Sequence, residues 1–284
     1  MRKIYDCFLF FNEIDLLKLR MNILKDEVDH FVIVESTSTF TSKDKQLWFQ
    51  ENREEFGEFK DKIIHVVVDD SPSQFCNINY GSDELTNKIL KHVDESTGWD
   101  RNNAGHTQWG VETYQRECMI RGLVDCNDDD IIIISDLDEI PNPDKVSELR
   151  EITHDDFYEF KQKMYCYYVN LLKESNWSGP KVCTYKRLKD ISINHLRQNK
   201  FTNNTVMDGG WHFSFFGGAD KVKEKIEAYS HQEYNNAYIK ENIAANIENG
   251  IDPFFRGTLT EVVIDDSYPK YILDNLDKYK HMIK

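Results

Sequence analysis

Apolar and amphipathic stretches alternate along the first 70 residues. Residues 4–11, IYDCFLFF, form an apolar run of strand length, and residues 13–25, EIDLLKLRMNILK, place Ile14, Leu17, Met21 and Leu24 on one helical stripe. HFVIVE at 30–35 predicts a second strand, a helical stretch follows near 44–56, and KIIHVVVDD at 62–70 predicts a third strand ending in acid. This β-α-β-α-β order predicts a parallel sheet with right-handed crossovers. The three strands end in Asn12 and Glu13, Glu35 and Ser36, and Asp69 and Asp70, which should share one sheet edge.

Residues 71–105, with Pro72, Gly81, Gly98 and Gly105, are expected to form a long functional loop. WGVETYQRECMIRGLV at 109–124 predicts a helix beside the sheet. In DDDIIIISDLDEIP at 128–141, the unbroken isoleucine run predicts a strand buried on both faces, with Asp136, Asp138 and Glu139 at its C-terminal end. Pro141 and Pro143 should open a short helix, and aromatic-rich strands near 157–171 and 182–188 suggest a smaller continuation of the sheet, with antiparallel pairing as one arrangement. MDGGWHFSFFGGADKVKEKIEAYSHQE at 207–233 predicts turn, strand, Gly-Gly turn and helix, with a mixed helical remainder. No repeat or heptad pattern interrupts this order, and the whole predicts an α/β protein with a Rossmann-type, mostly parallel central sheet, flanking helices and a smaller mixed sheet, in one domain over 1–284.

Charge narrows the function. With 35 basic and 50 acidic residues the formal charge is -15, which disfavours a general nucleic-acid or anionic-membrane binder. An anionic ligand would need local help from a metal, a few arginines or helix-start N–H groups. No apolar run nears the roughly 20 residues of a bilayer span. The start, MRKIYDCFLFFNEID, meets Asn12, Glu13 and Asp15 too soon for a signal peptide and suits a first core strand, so a cytoplasmic protein is expected. Cys7, Cys76, Cys118, Cys126, Cys166 and Cys183 are scattered without a CxxC pair, which fits a reducing compartment and suggests no zinc site. The sequons at Asn176 and Asn203 are ascribed to chance.

The sheet edge that should carry Asp136, Asp138 and Glu139 is where open α/β sheets bind ligands. Clustered carboxylates repel one another, so such a site commonly supplies a cation, and hard divalent ions prefer oxygen. Alternation along the strand lets Asp136 and Asp138 approach one metal-nucleotide while Leu137 anchors the backbone.

The ordered blocks YDCFLFFNEIDLLKLRMNIL, FVIVEST, KIIHVVVDD, YQRE, DDIIIISDLDEIP and GGWHFSFFGG resemble glycosyltransferase family 17, the family of β-1,4-mannosyl-glycoprotein β-1,4-N-acetylglucosaminyltransferase, from about residue 4 to 280. The resemblance implies a GT-A-like fold, a UDP-sugar donor, most typically UDP-N-acetylglucosamine, a divalent metal such as Mn2+ (or Mg2+), and inversion at the anomeric carbon. It divides the chain into a nucleotide-sugar-binding half, 1–140, and an acceptor-side half with C-terminal helices, 141–284. The expected partners are that donor and a glycan or glycoprotein acceptor. Animal members carry a membrane anchor and stem, and this chain shows neither.

On this basis Asp138 is assigned to the metal and Asp136 to metal or ribose, with Glu139 in support. His212 is the candidate third ligand, with a core histidine as the alternative and His231 as the competing ligand. Asp220, at a helix start where inverting GT-A-type enzymes often carry the base, is the candidate general base; helix capping is the alternative, and Asp208 and Glu233 are the reserves. Arg116 and Arg20 are candidate pyrophosphate ligands, although Arg116 could instead pair with Glu112 one turn away. Glu35 and Asp70 are candidates for uracil or ribose, against simple loop solvation. Trp109, Trp177 and Trp211 could stack on sugar faces or pack in the core. Two other functions compete: a haloacid dehalogenase-like phosphatase with Asp136 as nucleophile, disfavoured by Ile140 and by the three preceding strands, and a non-catalytic carbohydrate-binding module.

Overall fold

The computed structural model describes residues 2–75, 78–97, 107–152, 155–198 and 204–284. Its first part follows the apolar pattern: β1 (Ile4–Phe10), α1 (Ile14–Leu24), β2 (His30–Ser36), a short α2 (Trp48–Glu51) continued by a 3-10 turn, and β3 (Ile63–Val68). After α3 (Glu84–Thr97) and α4 (Thr107–Glu117) come β4 (Ile131–Asp136), β5 (Glu139–Pro141) and α5 (Pro143–Glu148). The second part holds β6 (Tyr158–Cys166), β7 (Leu171–Thr184), α6 (Tyr185–Leu188), α7 (Ile193–Gln198), β8 (Thr205–Val206), β9 (Gly210–Ser214), α8 (Gly218–Ala228) and α9 (Ala237–Asn249). β10 (Thr260–Glu261), α10 (Lys270–Leu273) and α11 (Leu276–Tyr279) close the chain.

All strands join one mixed sheet in the order β3-β2-β1-β4-β7-β6-β9-β5, with β10 on β7 and β8 on β6. β3, β2, β1 and β4 run parallel; β7 then pairs antiparallel with both β4 and β6, β9 lies parallel to β6, and β5 antiparallel to β9. The isoleucines of β4 alternate between two apolar layers. Ile131 and Ile133 face the cluster containing Leu17, Met21 and Leu24 of α1, while Ile132 and Ile134 face the cluster containing Ile89, Val93 and Val111 of α3 and α4. Burial on both faces explains the unbroken run. A third cluster packs Val222 and Ile226 of α8 against Ile239 and Ile243 of α9.

Three expectations need correction. The 71–105 stretch contains α3, whose buried Ile89, Leu90 and Val93 recur at helical spacing; Cys76, Gly98 and Gly105 lie outside the described residues. The expected helix over 44–56 contracts to Trp48–Glu51 and the 3-10 turn Arg53–Phe59. The strand placed at 182–188 instead runs Leu171–Thr184, and Tyr185–Leu188 turn helical behind the Thr184 cap, whose side chain accepts from the Arg187 N–H. Cys7, Cys118, Cys126, Cys166 and Cys183 are free thiols. No described helix is long and apolar enough to cross a membrane.

Candidate active site

At the C-terminal ends of β1, β2 and β4 the chain leaves a cavity of about 600 Å3, bounded on its far side by β7, β9, α8 and the segment after α8. β4 stops at Asp136, and residues 137–138 turn before β5 begins. Leu137 is buried in the core, while Asp136 and Asp138 line the cavity.

Arg20 holds this turn from behind. Its guanidinium is fully buried, bonded to both oxygens of Asp6 (2.8 and 2.6 Å) and to Ser135 Oγ (2.6 Å). It also donates to the carbonyls of Asp136, Leu137 and Glu139 at 3.0, 3.0 and 2.9 Å. Every arm of the guanidinium is used inside the protein, so the expected pyrophosphate ligand is a brace for the acidic turn.

Asp136 reaches Arg116 Nη2 at 3.3 Å and Arg197 Nη2 at 3.2 Å. Burial would raise its pKa, but Arg116 and then Arg197 outweigh that and hold the carboxyl below its usual range. Arg116 also makes the expected pair with Glu112 at 2.7 Å, one turn away, and its buried Nε has no hydrogen-bond partner among the described residues. Glu139 is buried beneath the turn, where it takes Trp177 Nε1 at 2.8 Å, the Asp136 N–H at 3.2 Å and Arg197. It braces the turn from below, and Trp177 also lines the cavity.

Asp138 sits between Lys225 Nζ, 2.9 Å from Oδ2, and His212 Nε2, 3.5 Å from Oδ1. Burial opposes ionisation here too, yet Lys225 and then His212 hold the carboxyl well below the usual range. Lys225 also reaches Glu13 at 3.3 Å, and burial, which would lower its own pKa, is overridden by Asp138 and Glu13. His212 comes to Asp138 because β9 pairs it with Glu139 in register; its ring lies 4.8 Å from that of Trp177, and its buried Nδ1 has no hydrogen-bond partner among the described residues. The 3.5 Å separation between Asp138 Oδ1 and His212 Nε2 would let both reach one divalent cation at about 2.1 Å each. Among the described residues no three His, Cys, Asp or Glu side chains close around one point, so any remaining ligands would come from substrate oxygens or water.

The other expected site residues fall elsewhere. Asp220 is fully exposed on the first turn of α8, beside Lys223, and does not line the cavity. Asp208 is an exposed turn residue with φ 53°, and Glu233 lies outside the lining but bonds His231 Nδ1 at 2.7 Å. Glu35 is buried and spends its oxygens on the Phe49 and Gln50 N–H groups at the start of α2 (2.8 and 3.3 Å) and on His65 at 3.1 Å. Asp70 forms a two-pronged pair with Arg121 at 2.9 and 2.7 Å, away from the cavity. Trp211 is buried with its Nε1 on Ser267 O at 3.2 Å, and Trp109 packs edge-on against His231 at 4.8 Å.

Among the lining residues Lys45, Lys173, Glu174, Lys225 and Arg256 had no motif to reveal them. Lys45, Arg116, Lys173, Lys225 and Arg256 face Glu13, Glu112, Asp136, Asp138 and Glu174, so the cavity is charge-balanced inside a chain of net charge -15. The same cavity has an aromatic wall. Tyr234 and Phe254 stack at 4.1 Å, Tyr229 lies parallel to Phe254 at 6.4 Å, and the Arg256 guanidinium sits 4.8 Å from the Phe254 ring. His231 lines the cavity at this wall, and its Nε2 makes no hydrogen bond among the described residues. Arg197 and Lys225 lie on ordinary amphipathic helices; only their helical phase relative to buried neighbours could have flagged them.

Comparison with known proteins adds family membership. A search of curated proteins returned no match. Among solved structures the chain is similar to 4-diphosphocytidyl-2C-methyl-D-erythritol synthase from Anaerococcus prevotii DSM 20548 (8% identity, 87% of this chain and 96% of that one, TM-score 0.35). It is also similar to HddC from Yersinia pseudotuberculosis (9%, 76% and 91%, 0.33) and to the inositol-1-phosphate CTP transferase from T. maritima (13%, 89% and 98%, 0.33). Likeness this distant says nothing of substrate. The sequence model of glycosyltransferase family 17, by contrast, matches residues 1–93 and 84–255. That match takes in every residue lining the cavity except Arg256, and the chain therefore belongs to glycosyltransferase family 17: it is an enzyme that moves a glycosyl group from a donor to an acceptor.

Proposed function

We propose that the protein is a metal-assisted, inverting glycosyltransferase on the GT-A plan that transfers N-acetylglucosamine from UDP-N-acetylglucosamine to a glycan hydroxyl, forming a β-linkage. The observation that carries this reading is the pair Asp136 and Asp138, each matched by protein cations, lining one cavity together with Tyr229, Tyr234 and Phe254. The donor diphosphate belongs on the acidic-turn side. Arg116 lines this side, with its Nη2 on Glu112 and Asp136. Asp138 and His212 are the residues that would hold a divalent cation there, which would act as a Lewis acid toward the diphosphate oxygens. The acceptor belongs on the aromatic side, where ring faces meet the C–H face of a sugar.

Inversion needs a base that takes the acceptor proton as its oxygen bonds to the anomeric carbon, while the bond to the diphosphate oxygen breaks and its electron pair leaves with UDP. His231 suits this role: it lines the cavity, Glu233 fixes its Nδ1 at 2.7 Å, and its Nε2 makes no hydrogen bond among the described residues. The screen that tests the proposal measures thermal shift and donor hydrolysis against UDP-sugars and GDP-mannose, with and without Mn2+, in the wild type and two variants. UDP-N-acetylglucosamine should stabilise the wild type in a metal-dependent way. Asp138→Ala should lose the metal dependence and about 100-fold or more in turnover. His231→Gln should keep donor binding and lose roughly 100- to 10,000-fold in donor hydrolysis, in which water stands in for the acceptor hydroxyl. Stabilisation by no UDP-sugar, or an unchanged rate in His231→Gln, would overturn the donor or the base assignment respectively.

A further inference from the structure

The aromatic wall does not stop at the cavity. Phe254 lines it, but the next residue, Phe255, turns outward to 41% exposure and stacks on Tyr238 of α9, itself 65% exposed, at 5.2 Å and 30°. Among the exposed large apolar side chains of the described residues, these two are in ring contact with each other. The loop that carries Phe254 and Phe255 is closely braced. Ile251 and Thr258 bridge its ends, and Asp252, almost fully buried, accepts from the Phe254 N–H at 2.9 Å and Arg256 Nε at 3.1 Å and pairs with Lys173 at 2.5 Å. Phe255 is held at φ 58°, a conformation that bulky residues rarely adopt. Backbone strain of this kind persists where the surroundings enforce it, and here it turns an aromatic ring into water.

We infer that Tyr238 and Phe255 form an outer sugar subsite, continuous with the Tyr234–Phe254 wall, so that the acceptor is an oligosaccharide whose reacting end lies in the cavity and whose next sugars lie on the exposed pair. This rests on the transferase reading with a glycan acceptor. Size and chemistry select the occupant. Two rings fall far below the roughly 800 Å2 per partner of a stable protein interface. A sugar ring offers one C–H face to a π-cloud and hydroxyls around its edge, and Asn242 and Glu241 on α9 with Arg256 on the loop provide polar groups nearby in sequence.

The test is calorimetric titration of the full chain with manno-, gluco- and N-acetylgluco-trisaccharides, each against its methyl monosaccharide, and separately with UDP. The variants are Tyr238→Ala with Phe255→Asn, Asn being a residue that tolerates positive φ, and Phe254→Ala. At least one trisaccharide should bind the wild type about tenfold more tightly than its monosaccharide, as two added ring contacts would give. That advantage should vanish in the double variant, whereas Phe254→Ala should weaken both sugars. An advantage that survives the double variant, no trisaccharide preference at all, or self-association of the wild type abolished by the double variant would each overturn the inference. Failure of the wild type to bind UDP would count against the donor assignment alone, because the sugar titrations are read without donor.

Discussion

Arg20 shows how much of this site depends on what a charge faces. A basic residue on the first helix of a nucleotide-binding fold is a reasonable phosphate ligand, but its guanidinium is buried against Asp6 and three carbonyls of the acidic turn. Arg20→Met would leave Asp6 charged and unpaired in the core, a change that costs roughly 3–5 kcal/mol. Arg20→Lys should recover little, since an ammonium cannot reproduce the planar fork. Urea unfolding of both variants checks this: stability near wild type with donor affinity alone reduced would restore the phosphate-ligand role. The same physics decided the other site residues. Asp136, Asp138, Arg116 and His212 were legible because a buried strand must end at the ligand-binding edge and the family blocks flank it. Glu35 lies at the end of β2 as expected, whereas β3 stops at Val68, two residues before Asp70; nearby N–H groups and Arg121 consume their oxygens, and local sequence does not report such partners. Asp220 was placed by its position after the Gly-Gly turn; its side chain points into solvent because α8 turns Val222 and Ile226 to the core instead.

At the scale of elements, the site depends on β9 lying tight against β5. Gly210 opposes Pro141 there with φ 133°, and a Cβ at this position would stand 2.1 Å from the Ile140 carbonyl oxygen. Since backbone cannot yield as a side-chain tip does, Gly210→Ala should cost on the order of 3 kcal/mol. It should also shift His212 away from Asp138, because the same pairing sets both. A denaturant midpoint within error of wild type would show the strand pair to be more compliant than its geometry implies. Elements were legible where periodicity was long and unbroken, as in β1, α1, β2, β3 and β4. α3 was missed because turn-forming residues bracket it, and half of β7 went unassigned because Glu174 to Pro180 hold Ser, Asn, Gly and Pro, residues that favour turns. That half persists as a strand through irregular pairing with β6, whose register shifts at several points, and pairing of that kind leaves no clean alternation in sequence.

Across the whole molecule, acid should test how far paired carboxylates hold the fold. Asp136 and Asp138 are held below their usual range, and Glu159, buried between Lys161 and Lys181, is brought down to about 2 from an ordinary 4.5. A carboxyl whose folded pKa is depressed binds fewer protons folded than unfolded, so its stabilisation is complete above the unfolded value and is lost as pH falls through the folded one. For Glu159 that window runs from 4.5 down to about 2, and for the two aspartates it opens below 3.8. Net charge acts on the same axis. Acidification from neutrality toward the isoelectric point, near 5.1, relieves the repulsion of a chain at -15. Over the same range His30, its pKa lowered first by burial and then by Lys3, works the other way below 6.5. Below about 4.5 positive charge accumulates while the buried pairs lose their anions, so both terms now destabilise. The melting temperature should therefore change little between pH 7.5 and 5 and fall steeply below 4.5. In Glu159→Gln it should start lower at neutral pH, with Lys181 left without its anion, and fall less steeply in acid. A melting temperature that holds level from pH 4.5 to 3 would mean that these pairs are no better stabilised folded than unfolded, and that the cations around Asp136 and Asp138 serve the substrate's charge more than the protein's own.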